Sequence, residues 1–277
     1  MRFMILLMMF FTLAGAAAAD EAEIRLDKGI AATLAMPEGD GPHPAVIMLH
    51  GLGSSRNEVG NLFADAAEAL ADRGIASLRI DFRGFGQSAG DTGAFTLERQ
   101  NADALIALEA LRGIEGVDPG RIGVMGFSFG GGAAIELGAA MPEAVRSVVL
   151  WSSIGDYRVQ MLESLGQGAF DRAQQDGIVG LDLGWRTMAL KREFFDGLAR
   201  HDLFAALARY PGALLVVNGA GDDYRRFTDR MIESAAGTDK QALAIEGADH
   251  VYHVYTPSKS KVPELIEATL ARFAATL

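Results

Sequence analysis

The pentapeptide Gly126-Phe127-Ser128-Phe129-Gly130, of the form G-x-S-x-G, restricts the fold more than any other stretch of this chain. A short apolar run, residues 122–125, precedes it, and a small, apolar run with helical character, residues 131–140, follows it. A serine on so sharp a strand-to-helix turn has its hydroxyl held out of the sheet. The flanking glycines remove the side chains that would clash in the bend. A serine hydroxyl is a poor nucleophile at neutral pH unless a base, an acid that orients the base, and donors for an oxyanion stand around it. Those parts must come from elsewhere in the chain.

The segments around the pentapeptide alternate in character. Residues 45–49, 75–80, 145–151 and 214–218 are apolar runs of the kind expected of strands buried on both faces, and residues 241–245 form a weaker one. Residues 23–27 and 30–36 read as a hairpin around Lys28-Gly29. Residues 57–73 have helical spacing, with Leu62, Phe63, Ala66, Ala67 and Leu70 on one face and Gly74 as the stop. Residues 97–111 repeat the pattern between the cap Thr96 and the stop Gly113, and residues 263–273 form a closing helix. Asp118-Pro119-Gly120 reads as a turn. Strands alternating with helices predict an α/β fold, a mostly parallel central sheet flanked by helices. With 277 residues, 49% of them hydrophobic, one large domain over residues 20–277 is expected.

Residues 152–210 break the alternation. They show no continuous apolar strand, and a stretch this long between two strands predicts a small helical cap over the carboxyl ends of the sheet. Its aromatics, Phe170, Trp185, Phe194, Phe195 and Phe204, are expected to wall the site.

Composition narrows the classes of function. A net charge of -11 argues against nucleic acid or an anionic membrane as partner. The absence of cysteine excludes disulfides, thiolate catalysis and Cys-ligated metals. No histidines are spaced H-E-x-x-H, and no G-x-G-x-x-G or Walker lysine is present, so neither metal nor cofactor is expected. At the amino terminus, Arg2, an apolar run and Ala17-Ala18-Ala19 have the layout of a secretory signal peptide over residues 1–19. The apolar run is short against the roughly 20 residues of a bilayer span. A protein exported to a bacterial periplasm or secreted, without a membrane anchor after cleavage, is expected.

Histidines and acids are then assigned by position. His50 follows the first apolar strand, and its His50-Gly51-Leu52-Gly53 run reads as an oxyanion loop, with Leu52 N–H as one donor and Phe129 N–H, next to Ser128, as the other. His43 lies among prolines before that strand and reads as a loop residue, and His201 falls in the insertion. His250 follows the last strand and is the expected base, with His253 its competitor. The acid should end the strand before, which gives Asp222, with Asp223 and Asp156 as alternatives.

The stretches LHGLGSS (residues 49–55), DFRGFGQSAG (81–90), DPGRIGVMGFSFGG (118–131), NGAGDD (218–223) and GADH (247–250) together resemble the α/β-hydrolase superfamily. DFRGFGQS and the insertion after VVLW (148–151) are similar to bacterial cinnamoyl (feruloyl) esterases and serine aminopeptidase-like hydrolases. That resemblance implies a Ser-Asp-His triad, mapping onto Ser128, Asp222 and His250, and a small-molecule ester as substrate. A peptidase or amidase with the same triad, or a silent fold used for binding, are the alternatives. The chain departs from the family where D-x-x-V-P often follows the acid: here Asp222 precedes Asp-Tyr-Arg-Arg-Phe.

Overall fold

The computed structural model describes residues 20–184 and 186–277. The expected leader and Trp185 lie outside them. The chain opens with a hairpin, β1 (Asp20–Arg25) and β2 (Ala31–Met36), turning through Lys28 at a φ of 57°. It continues through β3 (His43–Leu49), α1 (Leu62–Ala71), β4 (Ala76–Ile80), α2 (Leu97–Arg112), β5 (Val117–Phe127), α3 (Phe129–Ala140) and β6 (Val145–Trp151). An insertion follows: α4 (Tyr157–Leu165), α5 (Gln167–Asp176), β7 (Ile178–Asp182), β8 (Thr187–Lys191), α6 (Arg192–Gly197) and α7 (Leu203–Leu207). The chain ends with β9 (Ala213–Gly219), α8 (Thr228–Ser234), β10 (Lys240–Ile245) and α9 (Val262–Thr276).

The main sheet has eight strands in the order β1-β2-β4-β3-β5-β6-β9-β10. The pairs β1–β2 and β2–β4 are antiparallel and the rest are parallel. Side chains alternate across it, because successive residues of a strand point to opposite faces. In β3, Ala45, Ile47 and Leu49 join the core under α2 and α3, while Val46 and Met48 join the core under α1 and α9. Both faces are covered, which is why these strands read as unbroken apolar runs. Trp151, at the end of β6, is fully buried, and its indole N–H donates to Thr269 Oγ1 of α9 at 2.8 Å. Among the described residues no helix is long and apolar enough to cross a membrane.

Four expectations need correction. The insertion is not wholly helical, since β7 and β8 pair as an antiparallel hairpin. Its strands bury alternate residues, Val179 and Leu181 against Met188 and Leu190, so no continuous apolar run announces them. α1 begins at Leu62, not near residue 57, because Glu58, Gly60 and Asn61 take φ values of 62°, 54° and 65°, incompatible with a right-handed helix. His43 is the first residue of β3. Asp118-Pro119-Gly120 lies within the span of β5, whose pairing with β3 is irregular there.

Candidate active site

Ser128 stands between the end of β5 and the start of α3 with φ 53° and ψ −117°, a left-handed conformation that costs an L residue on the order of 1–3 kcal/mol. The surrounding backbone holds it there. Ser128 N–H donates to Trp151 O at 2.9 Å, and Ser128 O accepts from Ile154 N–H at 3.0 Å. The two glycines of the pentapeptide are required by close approach. A Cβ on Gly126 would stand 2.3 Å from Gly130 O, and one on Gly130 would stand 2.1 Å from Leu49 O.

Three residues of distant sequence converge at this turn. His250, in the loop after β10, has Nε2 3.2 Å from Ser128 Oγ and Nδ1 3.0 Å from Asp222 Oδ1. Asp222 follows β9 and is 6% exposed, whereas Asp223 is exposed and begins the next turn of 3-10 helix. Burial opposes ionisation of Asp222. Hydrogen bonds from His250 and from Tyr224 N–H, with the charge of His250, outweigh it and hold the carboxyl below its usual range. Beneath the site, Ser152 Oγ donates to the hydroxyl of Tyr252, which donates in turn to Val217 O of β9. The imidazole of His250 packs against Phe127 and Tyr224, with ring centroids at 5.2 and 4.5 Å.

The other candidates lie elsewhere. His253 pairs with Asp249 at 3.1 Å. Asp156 caps α4 by accepting Val159 N–H. His201 pairs with Glu136 of α3 at 3.1 Å, and that carboxylate, over the opposing effect of burial, raises its pKa.

The loop after β3 is pinned at three points. His50 Nδ1–H donates to Gly51 O at 2.8 Å, and His50 Nε2 accepts from Phe82 N–H at 3.0 Å, which fixes a neutral tautomer. Burial drives the pKa of His50 down to about 4. Gly51 N–H donates to the carboxylate of Glu58 at 2.6 Å, and Arg186, from the turn between β7 and β8, donates to Gly53 O at 2.9 Å. Glu58 is itself buried, which raises its pKa against the hydrogen bonds it accepts. In a trans peptide the C=O of one residue and the N–H of the next point in opposite directions. With Gly51 O tied to His50 and to Ser54 N–H, Leu52 N–H is directed away from that anchor, and no described residue accepts from it. Phe129 N–H belongs to the first turn of α3, where backbone donors have no intrahelical partner.

These groups border a cavity of about 310 Å³ that Ser128, His250 and Tyr224 share. The body lines it with Leu52, Val59, Phe127 and Phe129; the insertion's apolar share is aliphatic, Met161, Leu165 and Leu183, with Gln160 and Ser164 of α4 as polar points. Among the described residues, none of the insertion's expected aromatics lines it. Phe194, Phe195 and Phe204 are buried, and Phe194 packs on Phe95 and Phe129 beneath the insertion, where a large ring buries more surface than at a cavity mouth. A larger, open depression of about 510 Å³ lies beyond Asp222 along β10, but neither Ser128 nor His250 reaches it. Among the described residues no group of three or more His, Asp or Glu is gathered as a metal site. Sequence reasoning missed Glu58, Ser152, Tyr224 and Tyr252. Only Tyr224 carried a local signal, since it stands in the segment that departs from the family pattern.

The arrangement can relay a proton from a serine hydroxyl to a carboxylate-oriented imidazole beside an apolar cavity. Comparison with known proteins agrees with an esterase scaffold. Est1E of Butyrivibrio proteoclasticus, solved with ferulic acid bound, superposes with a TM-score of 0.70 over 91% of this chain and 99% of its own, at 20% identity, which establishes the α/β-hydrolase fold. An uncharacterized 31.7 kDa Escherichia coli protein from the traX-finO intergenic region is 34% identical over 132 residues, 48% of this chain and 45% of its own. Esterase FrsA of Klebsiella pneumoniae is 36% identical over 118 residues, 42% of this chain and 26% of its own. The chain thus spans less than half the length of these curated relatives. A family model described as esterase FrsA-like matches residues 18–164, over half of the chain, and the chain belongs to that family.

Proposed function

From membership of the FrsA-like esterases, we propose that this chain is a serine hydrolase of carboxylic esters, with Ser128 as nucleophile, His250 as base and Asp222 as the acid that orients it. The observation that carries this reading is the unbroken chain of contacts, 3.0 and 3.2 Å, from Asp222 through His250 to Ser128 at the edge of the aliphatic cavity. As Ser128 Oγ bonds to the acyl carbon, its proton passes to His250 Nε2, and the resulting imidazolium is stabilised by Asp222. The carbonyl oxygen takes up negative charge between Leu52 N–H and Phe129 N–H; one such donor lowers the barrier by roughly 3–4 kcal/mol. Collapse breaks the bond to the alcohol oxygen, which takes the proton from His250. A water molecule, deprotonated by the same imidazole, then releases the acid.

Esters are favoured over amino-terminal peptides by the state of the acidic group at the cavity. Glu58 is occupied by Gly51 and Val59 N–H, so it is not positioned to capture an ammonium group. Covalent labelling by a fluorophosphonate, abolished in Ser128→Ala, is the expected result; a folded wild type that is not labelled refutes the proposal. Parallel turnover of p-nitrophenyl esters and aminoacyl anilides separates esterase from amidase. The leader-like residues 1–19 support export as a further part of the proposal. Recovery of the full-length chain in the cytoplasmic fraction of a bacterial host would contradict it.

A further inference from the structure

The segment that departs from the family pattern brings a second hydroxyl to the nucleophile. Asp222 caps the 3-10 turn Asp223–Phe227 by accepting Tyr224 N–H at 3.0 Å, so the carboxylate that orients His250 also positions Tyr224. From the same turn, Arg226 donates to Gln160 Oε1 at 2.8 Å and pairs with Glu163, tying the turn to α4 of the insertion. The Tyr224 ring lies against the His250 imidazole and lines the cavity together with Ser128. Burial pushes the phenol up to about 12, so it carries its proton at any pH where the enzyme would work.

Ser128 Oγ donates its own proton to His250 and keeps lone pairs for a donor. Once Oγ has bonded to the acyl carbon it becomes a weak acceptor. The leaving oxygen is bonded to that same carbon, two bonds from Oγ, inside the cavity that Tyr224 lines. We propose that Tyr224 is a further catalytic residue: from its place beside His250 in the Ser128 cavity, its hydroxyl hydrogen-bonds the departing alcohol oxygen as the tetrahedral intermediate collapses, which suits the enzyme to esters of poorly leaving alkyl alcohols. The C–O bond breaks with its electron pair going to oxygen. The proton that neutralises that oxygen comes from His250, and Tyr224 keeps its own. This inference rests on Ser128 being the nucleophile.

The test is Tyr224→Phe, which retains the ring, assayed on two esters of one acid. For ethyl butyrate, followed by pH-stat, kcat/KM is expected to fall about 10- to 100-fold, the effect of one hydrogen bond to a charged oxygen. For p-nitrophenyl butyrate, whose nitrophenolate departs unaided, the change is expected to stay within about 3-fold. Equal losses on both esters mean a packing role and overturn the proposal, as does no loss on either. Fluorophosphonate labelling separates the two levels of failure. An unlabelled wild type removes the nucleophile and this inference with it. Wild type and variant that label alike, with no split between the two esters, overturn Tyr224 alone.

Discussion

His50 couples the loop after β3 to pH. It is 1% exposed, donates from Nδ1 to Gly51 O and accepts from Phe82 N–H at Nε2. A proton on Nε2 would remove that acceptor and place a cation in the core beside Arg186. Burial is the main reason its pKa falls from 6.5 to about 4, with Arg186 adding to the fall and Gly51 O and Asp81 opposing it. Between those two pH values the unfolded chain binds a proton that the folded chain refuses, so stability rises with pH across this window. The contribution is complete above pH 6.5 and exhausted near pH 4. At about 1.4 kcal/mol per pKa step, it amounts to about 3 kcal/mol. The perturbation is His50→Gln, which keeps an acceptor near the position of Nε2 and has no proton to gain. Urea unfolding at a series of pH values, followed by tryptophan fluorescence, measures both proteins. Carboxylate contributions are common to both and cancel in the difference. Wild type is expected to lose about 3 kcal/mol more than the variant between pH 7 and pH 4. Parallel curves would refute the argument that His50 is held neutral by its burial and its two hydrogen bonds.

Asp222→Asn should lower kcat by about 10³- to 10⁴-fold, because the amide cannot hold His250 in the tautomer that accepts the Ser128 proton, while Asp223→Asn, at an exposed position, should leave kcat within about 2-fold. Steady-state ester hydrolysis by the two variants decides between the neighbouring acids, and the reverse order would assign the role to Asp223. Gly130→Ala should lower stability by more than about 2 kcal/mol, since its Cβ would stand 2.1 Å from Leu49 O and backbone would have to move. Gly180→Ala in β7, where a Cβ meets nothing within 4 Å, should change stability by less than about 0.5 kcal/mol, and thermal melts of the pair check the contrast.

Much of the framework can be read in one dimension because its causes are local or nearly so. The inner strands are covered on both faces, so residues 45–49 and 145–151 are unbroken apolar runs. The bend at Ser128 demands glycine at 126 and 130, so the turn is visible as G-x-S-x-G. The order serine, acid, histidine follows from which strand each loop ends, and that order is chain order. The strands of the insertion, β7 and β8, stayed hidden because each buries only alternate residues.

Chain order alone left Asp222 and Asp223 as neighbouring candidates; in the structure Asp222 is the one that contacts His250, because only one of two adjacent side chains can face inward from the turn after β9. The supports of the site are tertiary for the same kind of reason. His250 meets Ser128 across 122 residues, Ser152 meets Tyr252 across 100, and Arg186 meets Gly53 across 133. No spacing rule covers such separations. They are set by the strand order β3-β5-β6-β9-β10, which gathers five loops at one edge of the sheet. The bend at Ser128 and the loops that carry Asp222 and His250 were legible from sequence. That His50, Glu58 and Arg186 pin the loop after β3, that Tyr224 lies against His250, and that the insertion meets the cavity with aliphatic rather than aromatic side chains were decided by packing across that edge.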